Sequence, residues 1–535
     1  MSTSDKKTSK GITRRCALKY SGMALGGLVT GGAMSAFGAK ETQTSEPCDQ
    51  SYCPTGECEY PPDDTDTQRY SYFEDLDEFD PIDPATKKYI PPELNEMRIT
   101  FMGSCVPPVR RAQQMMSIFV ELGPGPGGTK PDQFVFDCGS GVCANYGAMG
   151  IGFARMDKVF IAHLHGDHMS DLTHIYCFGP SGDRKSPLYV WGPGQSGVKS
   201  PMPPRRLYDD GTKAFCKNLR EACRWHTESF SFQNTSCDGY EPPTRESWGL
   251  PCDPRPVGDD PPDDAYALVP IELDWTKYGK VKGDNVAYNN PETGVKITHF
   301  PVIHCRKGSI GYKLEWNGLS MIYTSDTKPE WNSVNQAING GDGVDVFIHE
   351  MAVPAEVWAF KNMGLTKPPD PVLQPQLYSV FLRTVDGLKD VQNSSHTPQG
   401  AFGYLLSQID PSPRLTVATH FPVADDTVAC ALKSVQAHCP WVVFDADNPD
   451  NGNITWSFDL MMLRVFPNEI LQRRAVVSDF GFSPVVQMPC PADELSTPKY
   501  HDADGNSDPY AQIDRSTEIP ACKDEDTCNY REDGY

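Results

Sequence analysis

The chain has 535 residues, of which 39 % are hydrophobic, and its 48 Lys and Arg against 71 Asp and Glu give a net charge of −23. This length and apolar content exclude a wholly disordered or collagen-like chain, and they allow several domains or one large domain with insertions. The acidic balance argues against a nucleic-acid partner, because gripping a phosphate backbone needs clustered Lys and Arg. Beyond the first 40 residues no apolar run reaches 18 residues, so we expect no integral membrane domain.

Residues 1–39 are expected to be a twin-arginine-type signal peptide. Arg14 and Arg15 follow three lysines and precede a Gly-rich apolar stretch with a small-residue cleavage site near Ala39. This order is typical of export signals, and the arginine pair points to the twin-arginine export machinery, although Ala17 replaces the usual Phe. Residues 1–39 carry a charge of +5, so the mature chain has −28. We predict a periplasmic location, with an extracellular one and an uncleaved N-terminal anchor as alternatives.

The 18 cysteines are clustered along the chain, and in an oxidising compartment such clusters are read as disulfide staples. A metal site is the alternative for the early cluster, but its five-residue spacing matches no common zinc knuckle. The clusters are Cys48, Cys53 and Cys58; Cys216, Cys223, Cys237 and Cys252; and Cys490, Cys522 and Cys528.

The organisation along the chain predicts an α/β (or α+β) domain over residues 97–480. An acidic linker rich in Cys and Pro (40–96) precedes it, an insertion (about 196–266) interrupts it, and an acidic Cys-containing tail (481–535) follows, with both acidic ends expected to be disordered. Helical patterns fall at 169–178 and 399–408. Strands are predicted at 98–103, 117–122, 134–137, 158–162, 188–191, 268–273, 295–300, 310–316, 319–324, 344–349, 415–419 and 441–444.

The most informative segment follows the predicted strand that ends at residue 162. His163, His165, Asp167 and His168 lie within six residues, before a helix that begins near Met169. Three imidazoles and a carboxylate on one turn are suitable ligands for zinc or a similar divalent ion, and core packing does not explain them. A solvated His-rich loop is the alternative.

The spacing His163-x-His165-x-Asp167-His168 resembles the signature of the metallo-β-lactamase fold, which implies a four-layer αββα sandwich and two zinc ions, other divalent metals remaining open. The resemblance extends to four distant positions: Asp137 matches the carboxylate that supports the metal loop, and His304, Asp326 and His420 match ligands. Ser325 stands where the family usually has Gly. The resemblance implies a first metal held by His163, His165 and His304, a second held by Asp167, His168 and His420, and Asp326 as the bridge.

Within this fold the chain resembles the branch of ribonuclease Z and metallo-arylsulfatases. His396, in Ser-His-Thr-Pro, looks like the additional catalytic histidine of that branch, and His349 with Glu350 resembles its His-Glu pair beside the metals. Residues 97–122 look closer still to a metallo-hydrolase family found with guanitoxin biosynthesis, on the run Arg110, Arg111, Ala112, Gln113 and Gln114.

These features predict a metal-dependent hydrolase that acts on a small ester-type substrate: a phosphodiester, a sulfate ester or a lactone. Two metals deliver a bound hydroxide at neutral pH, Asp167 orients it, and His396 stabilises the developing anion or protonates the leaving group. A di-iron redox enzyme is one alternative, but it usually has Glu at the position of His165. A non-catalytic metal-binding module is the other, and it should have lost a distant ligand.

The remaining predictions concern residues around the centre. His226 in the insertion and Arg110 are candidates for substrate binding, and His174 is expected to be a packing residue. Cys305 is expected to face away from the metals, because adjacent strand residues alternate in direction. No nucleic-acid substrate is expected, transfer RNA precursors included, and a homodimer is left open.

Overall fold

The computed structural model describes residues 73–477, except 74–75, 87, 108–111, 230–238, 281–282 and 284. The predicted signal peptide, most of the linker, the tail and Arg110 lie outside these residues. Among the described residues, no helix has both the length and the apolar character needed to cross a bilayer.

The described residues form two β-sheets. The larger sheet has nine strands: β1 (Glu78–Phe79), β2 (Met97–Gly103), β3 (Ser117–Leu122), β4 (Asp132–Phe136), β5 (Lys158–Phe160), β6 (Leu188–Pro193), β7 (Leu268–Leu273), β15 (Met461–Val465) and β16 (Ile470–Ala475). Their order is β1-β16-β15-β2-β3-β4-β5-β6-β7, antiparallel from β16 to β4 and parallel from β4 to β7.

The smaller sheet has seven strands among the residues that the structure describes. They are β8 (Val286–Asn290), β9 (Val295–Pro301), β10 (Ile310–Trp316), β11 (Leu319–Tyr323), β12 (Val346–Glu350), β13 (Leu415–Thr419) and β14 (Ile454–Trp456). The order is β14-β13-β12-β11-β10-β9-β8, and β11 to β14 run parallel. Parallel strands end at the same edge of a sheet, so the turns after β11, β12 and β13 meet.

The described part of the chain has ten α-helices, which lie in the connections between the strands. They are α1 (Val142–Ala148), α2 (Gly166–Met169), α3 (Leu172–Phe178), α4 (Thr212–Ala222), α5 (Arg224–Ser229), α6 (Trp331–Ile338), α7 (Ala355–Met363), α8 (Pro375–Ser395), α9 (Gln399–Ser407) and α10 (Asp425–His438). Local chemistry sets their ends. The Glu330 carboxylate accepts hydrogen bonds from the first backbone N–H groups of α6, and Gly364 ends α7 in the left-handed conformation at φ 65°.

The buried side chains form layers. Apolar residues of both sheets face one another in a central core that includes Trp191, Tyr312 and Leu463. The outer face of the larger sheet packs against α1, α3 and α4, and the outer face of the smaller sheet packs against α6, α9 and α10. The order is therefore helix, sheet, sheet, helix, which confirms the predicted mixed α/β fold with two sheets.

Two expectations about the elements are wrong. The predicted linker (40–96) is part of the fold at its C-terminal end, because β1 pairs with β16 and the Phe73 side chain is buried against Phe458. The predicted strand at 441–444 is not a strand; β14 pairs with β13 instead. The apolar residues of 441–444 contribute to the core without backbone pairing, since Trp441 and Phe444 pack against the cluster of the outer face.

The cysteines in the described residues do not form the predicted staples. Cys216, Cys223 and Cys252 are thiols in this structure, and Cys216, which lies in α4, is fully buried in the core. Buried thiols of this kind behave as small apolar side chains. Cys237 and the early and late clusters lie outside the described residues.

Candidate metal centre

The candidate ligands lie on turns that follow strand ends at one edge of the two sheets. His163 and His165 follow β5, and Asp167 and His168 lie in the short helix α2 that continues that turn. Four further groups from the smaller sheet come to the same place: His304 after β9, Asp326 after β11, Glu350 at the end of β12 and His420 after β13. This is the carboxyl-terminal edge of the parallel strands, where α/β folds generally place ligand sites.

Three histidines form the first group of converging donors. The Nε2 atom of His163 lies 3.0 Å from Nδ1 of His165, which lies 3.2 Å from Nε2 of His304. Two nitrogens bound to one tetrahedral zinc at 2.0–2.1 Å are roughly 3.3 Å apart. The three imidazoles are therefore spaced as ligands of a single ion.

A second group consists of Asp167, His168, Asp326 and His420. The Asp167 Oδ2 atom lies 3.4 Å from Nε2 of His168 and 3.2 Å from Nε2 of His420. One potential ligand atom from each residue lies within 4.8 Å of the others. Two imidazoles with two carboxylates again match the donor preference of zinc and similar divalent ions.

Asp326 connects the two groups, because its two oxygens face opposite sides. Oδ1 lies 3.2 Å from Nε2 of His168 and 3.5 Å from Nδ1 of His420, in the second group. Oδ2 lies 3.6 Å from Nε2 of His304 and 4.0 Å from Nε2 of His163, in the first group. This is the arrangement of a bridging carboxylate.

Several of these atoms are buried without a hydrogen-bond partner, namely Nε2 of His168, Oδ1 of Asp326, Nδ1 of His420 and Nδ1 of His163. A buried polar atom that makes no hydrogen bond costs about 1–3 kcal/mol. The first three atoms belong to the second group, so most of this free-energy cost is concentrated at one site. Such a concentration of unsatisfied donors and acceptors fits a site that a cation completes.

Asp137 supports the second group through a hydrogen bond to His168. Its fully buried carboxylate accepts hydrogen bonds from Nδ1 of His168 (2.8 Å), the Tyr323 hydroxyl (2.6 Å), the Ser325 hydroxyl (3.2 Å) and the Ala162 backbone N–H (2.8 Å). The bond to Nδ1 leaves Nε2 of His168 directed at the centre, as carboxylate partners of metal-binding histidines do. Ser325 adopts φ 54°, which agrees with the family's preference for Gly at this position.

His396 and Glu350 form a pair at the open side of the centre. Nδ1 of His396 lies 2.8 Å from Oε2 of Glu350, whose other oxygen accepts a hydrogen bond from the Thr327 backbone N–H. The Glu350 side chain is 1 % exposed, whereas that of His396 is 21 % exposed. The buried carboxylate therefore orients an imidazole that solvent or a substrate can reach.

Neighbouring charges outweigh burial for most of these groups. Burial opposes ionisation of Asp326, yet His420 and His168 hold the pKa of its carboxyl well below the usual value. Burial alone would lower the pKa of His420, but the Asp326 and Asp167 carboxylates raise it to about 10. His163 differs, because burial and the adjacent His168 both lower its pKa. The carboxylates are thus ionised at neutral pH, and a divalent cation would meet negative charge.

Two predicted residues are not brought into the centre. His349 precedes Glu350 on β12, and strand alternation turns its ring to the other face, where it packs against Phe347 and Phe402. The predicted role of His349 beside the metals is therefore wrong. His226, a predicted substrate-binding residue, instead has Nε2 2.8 Å from the Cys177 carbonyl oxygen and its ring on Phe178. Arg110 lies outside the described residues.

Cys305 is not part of the groups of converging donors that contain His304, as predicted, but the reason given for this is wrong. The prediction assumed a strand, whereas β9 ends at Pro301, and His304 and Cys305 lie on a bend. The Cys305 thiol contacts the His304 side chain, and despite partial burial this hydrogen bond lowers the thiol pKa. His174 packs as expected, between Phe153 and Phe178.

Tyr323 is a residue of the centre that sequence reasoning missed. Its hydroxyl bonds Asp137 from the opposite sheet, although its sequence signal is only that of an aromatic strand residue. Its position three residues before Asp326, at the end of an apolar strand, is the one feature that connects it to the centre.

No protein-family model matches the chain. Ribonuclease BN of Proteus mirabilis is 25 % identical over 266 residues, which cover 48 % of this chain and 76 % of that protein. Ribonuclease Z of Natronomonas pharaonis is 35 % identical over 99 residues, 18 % of this chain and 29 % of its own length. Among solved structures, the metallo-β-lactamase fold protein YhfI of Bacillus subtilis aligns with 69 % of this chain and all of its own, at 13 % identity and a TM-score of 0.38.

The narrower resemblances, to metallo-arylsulfatases and to the hydrolases of guanitoxin biosynthesis, stay predictions. The sequence relationship to ribonucleases BN and Z covers most of the former protein. It accompanies two sheets flanked by helices, with the histidine and aspartate groups at one edge. Together these findings confirm the resemblance to the metallo-β-lactamase fold and to its ribonuclease Z-like branch.

Proposed function

We propose that this protein is an exported, zinc-dependent hydrolase that cleaves an ester-type bond in a small molecule. The observation that carries the proposal is the pair of ligand groups that share Asp326, one oxygen on each side. Two metals held by one carboxylate suit hydrolysis, in which the attacking and leaving oxygens both need stabilisation.

The donor set fits zinc. The first group offers three imidazoles, and the second offers two imidazoles with two carboxylates. The unsatisfied buried atoms of His168, Asp326 and His420 are those that an ion would complete. When bound, two zinc ions would supply Lewis acidity toward the substrate and lower the pKa of a water molecule from 15.7 to about 7.

The protein's own residues would then position the reactants. Asp167 is 12 % exposed and contacts His168 and His420 through Oδ2, so its other carboxylate oxygen can accept a hydrogen bond from the attacking water and orient it. Asp137 fixes the ring of His168, and the Ser395 backbone carbonyl fixes that of His304 by accepting from Nδ1 at 2.8 Å. These contacts hold the imidazoles in one tautomer and orientation.

His396 is the proposed general acid. Burial would lower its pKa, but the Glu350 carboxylate raises it above the ordinary value, so the imidazole is protonated over more of the neutral range. Nδ1 donates to Glu350, which leaves Nε2 to protonate the leaving oxygen. Substrates with a poor leaving group should therefore depend on His396 more than activated aryl esters do.

The proposal of export rests on the twin arginines and on the early and late cysteine clusters. Replacing Arg14 and Arg15 by Lys should retain the precursor in the cytoplasm, whereas the same exchange at Arg205 and Arg206 should leave export unchanged. Fractionation of cells expressing each variant measures this. Unchanged periplasmic recovery of the Arg14 and Arg15 variant would refute the twin-arginine assignment.

Metal content and substrate panels test the hydrolase proposal. We expect about two zinc ions per chain, and close to one in His420→Ala. The exposed His438, at the end of α10, is the matched control, and His438→Ala should keep both ions. The purified protein would then be assayed against phosphodiesters, aryl sulfates and lactones. A folded wild-type protein that binds no metal would overturn the proposal.

A ribonuclease is the second candidate, favoured by the names of the related proteins. Two considerations favour a small substrate instead: at −28 the mature chain repels a polyanion, and an exported enzyme does not meet transfer RNA precursors. Activity on a small ester should depend little on salt. Faster cleavage of a precursor transfer RNA than of every small ester tested would establish the ribonuclease.

A further inference from the structure

We infer that the Gln113 side chain, held by Ser104 and Asp459, positions the ligand His420 and thereby sets the affinity of the second metal. The inference rests on the proposed two-metal centre. Gln113 belongs to the run of residues that suggested the guanitoxin-biosynthesis family, and none of the steps proposed above uses it.

Gln113 contacts the turn that immediately follows His420. Its Nε2 donates to the Phe421 carbonyl oxygen at 3.0 Å, and its Oε1 accepts from the Val423 backbone N–H at 2.9 Å. The Gln113 residue is 5 % exposed, so water does not replace these bonds. An amide is needed here, because the two bonds require one donor and one acceptor on the same side chain.

Asp459 anchors Gln113 from the other side. The Ser104 hydroxyl donates to Oδ1 of Asp459 at 2.8 Å and accepts from Nε2 of Gln113 at 2.9 Å. Oδ2 of Asp459 accepts from the Gln114 backbone N–H at 2.6 Å and from Nδ2 of Asn145 at 2.9 Å. The Ser104 backbone carbonyl also accepts a hydrogen bond from the Phe421 N–H at 3.1 Å. Three backbone groups of the turn are therefore held: the Phe421 N–H, the Phe421 carbonyl and the Val423 N–H.

The same segment also reaches the metal loop. The Met116 backbone N–H donates to the Asp167 carbonyl oxygen at 3.2 Å. Asp167 and His420 belong to one ligand group and come from different sheets. The segment that carries Gln113 and Met116 therefore sets the spacing between these two ligands.

His420 needs such support, because it adopts φ 56°, in the left-handed region that a non-Gly residue rarely occupies. A strained residue keeps its conformation only when surrounding contacts determine it. The contacts of Gln113 and Ser104 with the next residues supply that determination. Removal of the amide contacts should let the His420 ring move away from the other ligands.

The test uses Gln113→Met and Asp459→Leu, which keep approximately the same volume and remove the hydrogen bonds. Gln408→Met and Asp386→Leu are matched controls at positions away from the centre. Metal-free proteins would be titrated with Co²⁺, followed by visible absorption and by calorimetry with a competing chelator. Thermal unfolding of the metal-free variants would verify that each is folded.

We expect the affinity for one of the two metals to fall 10–100-fold in both variants, while the other metal and both controls stay within twofold of wild type. If the variants bound both metals with wild-type affinity, or lost affinity equally for both metals, the inference would be overturned. If wild-type protein itself bound no metal, the proposed function would fail first, and the inference about the second metal would fail with it.

Hydrogen exchange gives a second readout that does not depend on metal. In the metal-free protein the Val423 amide should exchange at least tenfold faster in Gln113→Met than in Gln408→Met. Equal exchange in the two variants would show that the Gln113 contact does not hold this turn, and it would refute the inference while leaving the metal centre intact.

Discussion

Replacement of Asp137 by Asn separates the charge of the supporting carboxylate from its shape. The carboxylate is fully buried and accepts four hydrogen bonds, three of them on Oδ2. The residue adopts φ 56°, a left-handed conformation that Asn tolerates nearly as well as Asp. The substitution therefore introduces little backbone strain, and its effect reports on hydrogen bonding and charge.

The magnitude follows from the four donors. An Asn oxygen can face His168, Tyr323 and Ser325, but the amide NH₂ then faces the Ala162 N–H and leaves a buried donor without a partner, which costs about 1–3 kcal/mol. Loss of the carboxylate charge also weakens the bond to His168, by about 1 kcal/mol. We expect a destabilisation of about 2–4 kcal/mol in the metal-free protein and a 10–100-fold loss of metal affinity.

Asp132 on β4 is the matched control. It is also a buried carboxylate, and it accepts from the Tyr288 hydroxyl at 2.8 Å and lies 3.2 Å from Nζ of Lys158. Urea unfolding should show that Asp132→Asn and Asp137→Asn both destabilise, whereas zinc titration against a chelator should show weaker binding in Asp137→Asn alone. Equal zinc affinities in the two variants would refute the reasoning.

Three further outcomes are expected. Burial lowers the pKa of His299 to about 4, so the neutral ring contributes stability above pH 6.5 that is lost as the pH falls toward 4. At pH 5 the free energy of unfolding should have fallen by about 2 kcal/mol, and the urea midpoint of His299→Asn should not show this pH-dependent decrease. His396→Gln should keep its metals by elemental analysis and lose about 10²–10⁴-fold in kcat on the best ester found. The buried Cys177 and Cys223 side chains are thiols in this structure and lie in contact, so the proposed export to an oxidising compartment should join them in a disulfide. Peptide mapping of the exported protein without reductant would detect this bond, and free thiols at both residues would contradict the expectation.

The sequence was sufficient to predict the elements where periodicity and chemistry agree. Strands such as Leu268–Leu273 and Ile310–Trp316 have the predicted bounds because continuous apolar runs between turns indicate buried strands. All seven predicted ligands converge, because each follows a predicted strand and such strand ends meet at one edge. The family resemblance identified the distant ligands His304, Asp326 and His420, which the spacing of residues alone does not connect to the loop at 163–168.

Other features depend on tertiary contacts that no local pattern records. In the predicted linker, β1 forms because β16 offers a free edge for pairing. The acidic composition of this segment indicates a solvated linker and not a strand. His304 and Cys305 lie on a bend and not in a strand because β9 ends at Pro301, and strand ends are the least reliable part of a sequence pattern. Gln113 and Asp459 are 346 positions apart and meet through Ser104, so neither signals a role by itself.

The candidate metal centre lies at an edge of the sandwich where polar side chains connect the two sheets. Tyr312 of the smaller sheet donates to the Ile161 carbonyl at 2.8 Å, and Tyr323 donates across to Asp137. The ligand atoms of His168 and Asp326, which come from opposite sheets, lie 3.2 Å apart without a hydrogen bond. An ion that binds only the folded chain adds stability of RT ln(1 + [M]/Kd), which at 1,000 Kd is about 4.1 kcal/mol. Because this stabilisation acts on groups from both sheets, the metal-free protein should open first at this edge, and the ligand turns should gain more protection from hydrogen exchange on zinc binding than the helices of the outer layers.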